Sequence, residues 1–100
     1  MRTFPVYITY TLPKTVTKIF GGAFYGCQLS KVIVPENVTI IADRAFLHCA
    51  DMTSIVLPRG LKEIGSRAFV YTGLKEITIP YSCKVAADSF DENLTVKYFP

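Results

Sequence analysis

No apolar run in this 100-residue chain approaches the roughly 20 residues that a membrane-spanning helix needs, so membrane insertion is not expected. Nor do the cations cluster. Lys14, Lys18, Lys31, Arg44, Arg59, Lys62, Arg67, Lys75, Lys84 and Lys97 are spread singly over a chain of formal charge +3. Nucleic-acid binding wants several cations converging on one track of phosphates, so no nucleic acid is expected as a partner. Histidine occurs once, at His48, and cysteine only at Cys27, Cys49 and Cys83, without the spacing of a zinc site. No metal and no cofactor is expected. There is no Gly-x-Ser-x-Gly, no phosphate loop and no converging pair of carboxylates, and Gly21-Gly22 stands alone. Catalytic, cofactor-binding and metal-ligating residues are therefore all expected to be absent. The first residues, Met1-Arg2-Thr3-Phe4-Pro5, carry a positive charge with no apolar stretch of secretory type behind them. That pattern points to the cytoplasm if Met1 is the native start, and to the cell surface or beyond it if a signal has been removed.

What the chain does have is a repeat. Half of its residues are hydrophobic, too apolar for a disordered chain, and they recur in order. Prolines at 13, 35, 58 and 80 are spaced by 22, 23 and 22 residues, and Phe24, Phe46, Phe69 and Phe90 by 22, 23 and 21. Self-similarity at such a period is the signature of a solenoid, in which each repeat buries its apolar face only against its neighbours. One domain over 1–100 is expected, with a lead-in strand in 1–12 and repeats at 13–34, 35–57, 58–79 and 80–100. The residues before each proline are β-branched and alternate, as in Lys31-Val32-Ile33-Val34, giving one short strand per repeat that the proline ends. Between Ile41 and Met52 the apolar spacing of Ala45, Phe46, Cys49 and Met52 becomes roughly helical. One or two turns of α- or 3₁₀-helix are expected there. The last repeat is degraded: Cys83 and Val85 replace two large aliphatics, and Ser89-Phe90 replaces Ala-Phe.

The motif Pro35-x-x-Val38-x-x-Ile41-x-x-x-Ala45-Phe46-x-x-Cys49-x-x-Met52-x-x-Ile55-x-Leu57-Pro58 resembles the BspA-type leucine-rich repeat, and the resemblance runs from Tyr7 to Pro100. It implies an α/β solenoid: a right-handed coil with short parallel strands on one face and short α- or 3₁₀-helices on the other. It also implies adhesion to host proteins and cells, since members of the family are mostly parts of bacterial and protist surface proteins.

Candidate residues follow from the repeat. Outward strand positions are Thr9 and Thr11, Lys31 and Ile33, Ser54 and Val56, Glu76 and Thr78, and Thr95 and Lys97. Ile33 and Val56 should lie side by side, exposed, with Ile40 near the same stack. They either support local pairing or form an interaction patch flanked by Lys31, Ser54, Glu76 and Thr78. Solenoids normally end in polar caps, and none is evident. Phe4, Tyr7 and Tyr10 at one end and Tyr98, Phe99 and Pro100 at the other should leave apolar edges open to self-association. Cys27 and Cys49 share one repeat position, which Thr72 and Asn93 fill later. Buried free thiols are the expected state, although neighbouring rungs about 4.8 Å apart bring a disulfide within reach. Cys83 reads as core. His48 should face solvent, turned away from Cys49, which rules out a Cys-His dyad. Asn37-Val38-Thr39 and Asn93-Leu94-Thr95 match the glycosylation pattern, which matters only in a eukaryotic secretory source. The expected function is non-enzymatic binding of a protein partner through the solenoid surface. Its setting is either a surface adhesin or a small intracellular inhibitor or adaptor from a bacterium, phage or mobile element.

Overall fold

The computed structural model describes residues 7–99, so Phe4, Pro100 and the remainder of 1–6 lie outside it. Among the described residues nine short strands follow one another: β1 (Thr9–Thr11), β2 (Lys18–Ile19), β3 (Lys31–Ile33), β4 (Ile40–Ile41), β5 (Ser54–Val56), β6 (Glu63–Ile64), β7 (Glu76–Ile79), β8 (Lys84–Val85) and β9 (Thr95–Tyr98). Every pairing between them is parallel. Odd strands stack as β1-β3-β5 and β7-β9, and even strands as β2-β4-β6-β8. The coil therefore has about four turns, each carrying two strands where the sequence suggested one. The second strand arises because Ile19, Ile41, Ile64 and Val85 recur at one position and their neighbours' amides bond the previous rung. Ala42 N donates to Ile19 O at 2.9 Å and Gly65 N to Ile41 O at 2.8 Å. The proline corners fall where expected. Val38, Ile41, Ala45, Phe46, Cys49 and Met52 of the central turn are all fully buried, since rungs cover them on both sides.

The expected helical face is absent, and the described residues contain no helix. After each even strand the backbone runs through overlapping tight turns. Ala23 N bonds Phe20 O, Tyr25 N bonds Gly22 O and Cys27 N bonds Phe24 O, each three residues back. The amides between them, of Gly22, Phe24 and Gly26, donate instead to Asp43, Ala45 and Leu47 of the next rung. A helix would turn its amides beyond the first turn back onto its own carbonyls, and helices stacked one per rung need about 10 Å each. Parallel rungs repeat at about 4.8 Å, so sharing alternate amides is what lets this side of the coil match the strand side. The apolar spacing suggests a helix because a chain of tight turns brings the same residues inward.

Two positions in each of the first three of these segments have positive φ. They are Gly22 (67°) and Gly26 (66°), then Arg44 (59°) and His48 (62°), then Arg67 (56°) and Tyr71 (57°). A turn of type II demands this at its third residue, and glycine takes it without the steric cost that a side chain brings. Only the first turn of the coil uses glycine.

Inside, the phenylalanines form a spine. Phe24 stacks on Phe46 with centroids 5.0 Å apart, Phe46 on Phe69 at 5.2 Å, and Phe69 on Phe90 at 6.0 Å. The interplanar angle opens from 1° to 8° to 27° along that series, tracking the degradation of the last repeat. Ser89 takes the alanine position there. It is fully buried, and its Oγ lies 2.8 Å from the carbonyl oxygens of both Gly65 and Ala86, so its one hydroxyl has acceptors in place of apolar neighbours.

Candidate interaction surface

The strand ladder sets the outward face residue by residue. In parallel register Thr9 pairs with Lys31 and Lys31 with Ser54, while Thr11 pairs with Ile33 and Ile33 with Val56. Side chains alternate along a strand, so each of these columns stands on the side opposite the buried Val32. Ile33 is half-buried and Val56 is 46% exposed. Glu76 and Thr78 do not continue these columns in a hydrogen-bonded ladder. They register with Thr95 and Lys97 in the separate β7-β9 pair. There the Lys97 ammonium reaches the Glu76 carboxylate at 2.9 Å, an exposed pair of modest strength. Ile40 belongs elsewhere too. It lies in β4 between Lys18 and Glu63, on the other sheet, so it is no third member of the Ile33–Val56 patch.

Beside Ile33 and Val56 a hollow of ≈ 570 Å³ opens, walled by Pro35, Pro58, Arg59 and Phe99. Phe99 follows β9 on the last rung, where its amide bonds Ile79 O at 3.0 Å, and the Arg59 guanidinium sits 4.9 Å from the centre of its ring. This cation–π contact holds the ring at the margin of the sheet face. No sequence signal joined Phe99 to the patch, because the contact crosses 40 residues of chain.

At the first end, Tyr7 is 81% and Tyr10 40% exposed, and Tyr10 leans on Phe24 with centroids 6.1 Å apart. Nothing among the described residues covers β1 on its outer side. At the other end Tyr98 is exposed and meets the equally exposed Tyr81 edge-on, at 5.6 Å. This end has a polar device that the sequence did not suggest. The Tyr71 amide, where the coil runs out of backbone acceptors, lies 3.0 Å from both carboxylate oxygens of Asp91, and the Thr72 amide is 3.4 Å from one of them.

His48 does face solvent, but in company. Its ring stacks on Tyr71 at 4.8 Å and meets Tyr25 edge-on at 5.6 Å. These rings ride on the turn segments, on the side of the coil away from the strand face. Cys27 and Cys49 are free thiols on adjacent rungs with their sulfurs 2.8 Å apart. Cys49 also donates to Phe24 O at 2.9 Å, and burial together with the neighbouring Cys27 pushes its pKa up to about 12. Cys83 is half-buried, with its thiol pushed up by burial and by the charge of Glu63. Among the described residues, no group of three or more His, Cys, Asp or Glu side chains is placed to hold a metal ion.

Comparison with known proteins agrees with this geometry. A family model described as the BspA type leucine rich repeat region (6 copies) matches residues 7–97. No curated protein matches. Among solved structures, a leucine-rich repeat protein from Bacteroides capillosus ATCC 29799 is similar at 28% identity, with a TM-score of 0.83 over 92% of this chain and 77% of that one. A leucine-rich repeat protein of T. pallidum shares 27% identity at a TM-score of 0.65, over 79% of this chain and 51% of its own. One from Bacteroides ovatus ATCC 8483 also shares 27%, at a TM-score of 0.68, over 87% of this chain and 26% of its own. With the repeat matched across residues 7–97 and the coil shared with these structures, the chain belongs to the BspA-type leucine-rich-repeat family.

Proposed function

We propose that this chain is a protein-binding module with no chemistry of its own, and that it docks its partner on the outward face of the β3-β5 ladder. Leucine-rich repeats generally serve as interaction modules, which sets the class. The observation that carries the surface is the in-register apolar pair Ile33 and Val56 beside the hollow walled by Phe99 and Arg59. Cross-strand packing explains why two aliphatic residues sit together. It does not explain why they border a hollow with an aromatic ring at its margin, on a face that is otherwise polar. Docking sites tend to combine such an apolar centre with a polar rim, here Lys31, Ser54 and Arg59. Glu76 and Thr78 sit at the far side of that rim, with Glu76 already engaged by Lys97.

The partner this face suits presents one or two apolar side chains on a convex segment. The test uses wild type as bait beside an Ile33→Glu/Val56→Glu variant and a Tyr25→Glu control on the turn side. A bound protein should be retained by wild type and by the control and lost by the double variant, all three showing the same circular dichroism. Equal capture by all three would remove the sheet face from consideration. Whether the captured partner is a cytoplasmic protein or a host surface protein separates the inhibitor reading from the adhesin one.

A second reading rests on the ends. Tyr7, Ile8 and Tyr10 are exposed along an unpaired parallel edge, a template for a second copy. Mass in solution checks it: wild type should exceed the monomer mass, and Tyr10→Glu should restore it.

A further inference from the structure

Cys27 and Cys49 present an arrangement that core packing does not demand. Thr72 fills the same position one rung further on, with its Oγ1 3.4 Å from Phe69 O, so a small side chain able to hydrogen-bond suffices there. Two thiols on adjacent rungs are more than the fold needs. Their sulfurs lie 2.8 Å apart, only about 0.8 Å beyond the covalent separation of about 2.05 Å. The backbones that carry them are already clamped, by Phe24 N to Ala45 O at 2.8 Å and Gly26 N to Leu47 O at 2.9 Å. Hydrogen-bonded parallel rungs hold equivalent residues about 4.8 Å apart, inside the Cα separation of ordinary disulfides. Closing the bond is therefore chiefly a matter of side-chain rotation, with the two rungs already at the right spacing. Access is asymmetric as well: Cys27 is half-buried and Cys49 fully buried.

We propose that Cys27 and Cys49 form a reversible redox pair, oxidised by low-molecular-weight disulfides such as oxidised glutathione to an inter-rung disulfide that staples the first turn of the coil to the second. The reaction proceeds by two exchanges. The Cys27 thiolate attacks one sulfur of oxidised glutathione, forms a mixed disulfide and expels one glutathione thiolate. Cys49 then gives its proton to solvent and attacks the Cys27 sulfur, expelling the second glutathione. Two protein thiols and one glutathione disulfide thus become one protein disulfide and two molecules of glutathione. The buried resolving thiol makes the second exchange the slow one, so the mixed disulfide at Cys27 accumulates transiently. The staple acts on the rung with a neighbour on one side only, where a solenoid frays first.

The test exposes the whole chain to oxidised glutathione, quenches with acid, alkylates free thiols and measures intact mass and linked peptides. The expected product has lost about 2 Da and links Cys27 to Cys49, with Cys83 still open to alkylation. Cys49→Ser should stop at a glutathione adduct on Cys27, and neither it nor Cys27→Ser should form the internal link. Oxidised wild type should unfold at a temperature higher by roughly 10 °C, because the bond closes a loop of some twenty residues. Amide exchange over residues 7–34 should slow at the same time. A sample in which Cys83 takes up glutathione while Cys27 and Cys49 remain alkylatable would overturn the pair. So would a link through Cys83, and a lower melting temperature after oxidation would overturn the staple.

Discussion

Replacing Phe46 by alanine tests whether the stack is held together from within. Phe46 is fully buried, sandwiched between Phe24 at 5.0 Å and Phe69 at 5.2 Å, with near-parallel rings on both sides. Removing a buried phenylalanine costs about 3–5 kcal/mol, from lost transfer energy and the cavity left behind. Phe24 and Phe90 hold the same position in the end turns, but they are half-buried and have one ring neighbour in the spine instead of two. With about half the area removed from water, each should cost about 2 kcal/mol on truncation. The prediction is therefore a gradient along one column, large at Phe46 and Phe69 and smaller at Phe24 and Phe90. Urea unfolding followed by circular dichroism measures it, with the midpoint reporting stability and the slope reporting whether the transition stays whole. A domain of this size is stable by about 5–15 kcal/mol, so Phe46→Ala approaches the margin, and Phe46→Leu supplies a milder variant that keeps a folded baseline. Equal costs for Phe24→Ala and Phe46→Ala would refute the reasoning, because they would mean that stability does not come from interfaces on both sides of a rung.

Three further outcomes can be measured on the same footing. Gly65→Ala should destabilise by about 2–3 kcal/mol, because an added Cβ would lie 2.5 Å from the Asp43 amide nitrogen and 2.8 Å from the Ala42 carbonyl carbon. Gly22→Ala meets no atom within 4 Å and should cost only about 1 kcal/mol for its positive φ; a reversed order of urea midpoints would contradict both. Asp91→Ala should cost about 1 kcal/mol and accelerate hydrogen exchange at the Tyr71 amide, whose acceptors it removes, and unchanged exchange would mean that water replaces the carboxylate without loss. Stability should also fall with rising pH above 9.0. The folded state keeps the Cys49 proton up to about 12 while the unfolded chain releases it near 9.0, so the contribution is complete below 9.0 and lost by about 12. The slope is at most about 1.4 kcal/mol per pH unit, and Cys49→Ser should flatten that part of the profile. An unchanged profile would show that the thiol is not sequestered.

Much of the coil was legible because a solenoid converts sequence period into spatial neighbourhood. Once Pro35 and Pro58 are taken as equivalent, Phe46 must stack on Phe24 and Phe69, Cys27 must meet Cys49, and Ile33 must stand beside Val56. All three contacts are present. Legibility failed where a contact leaves its column. Phe99 reaches Arg59 across the repeat, and Asp91 lends a side chain where a backbone carbonyl would continue the pattern. Glu76 and Thr78 fall out of the first ladder because β5 and β7 belong to different sheets.

The helical face shows the same limit in local structure. Apolar spacing reports which side chains point inward, and a chain of tight turns and a helix turn the same residues inward. What separates them is the destination of each amide, and that depends on a rung 22 or 23 residues away. The paired positive-φ positions of the first three turns were equally hidden, since Gly22 and Gly26 announce them once while Arg44, His48, Arg67 and Tyr71 occupy them without a residue type that says so. The amino-acid sequence by itself therefore determined the repeat, the identity of the inward columns and the rung-to-rung neighbours, because those follow from periodicity and burial. Only the tertiary structure decided the turn-built second face, the break between β5 and β7 and the placing of Phe99 beside Ile33 and Val56. Those depend on hydrogen bonds and packing between rungs, which no single rung's sequence contains.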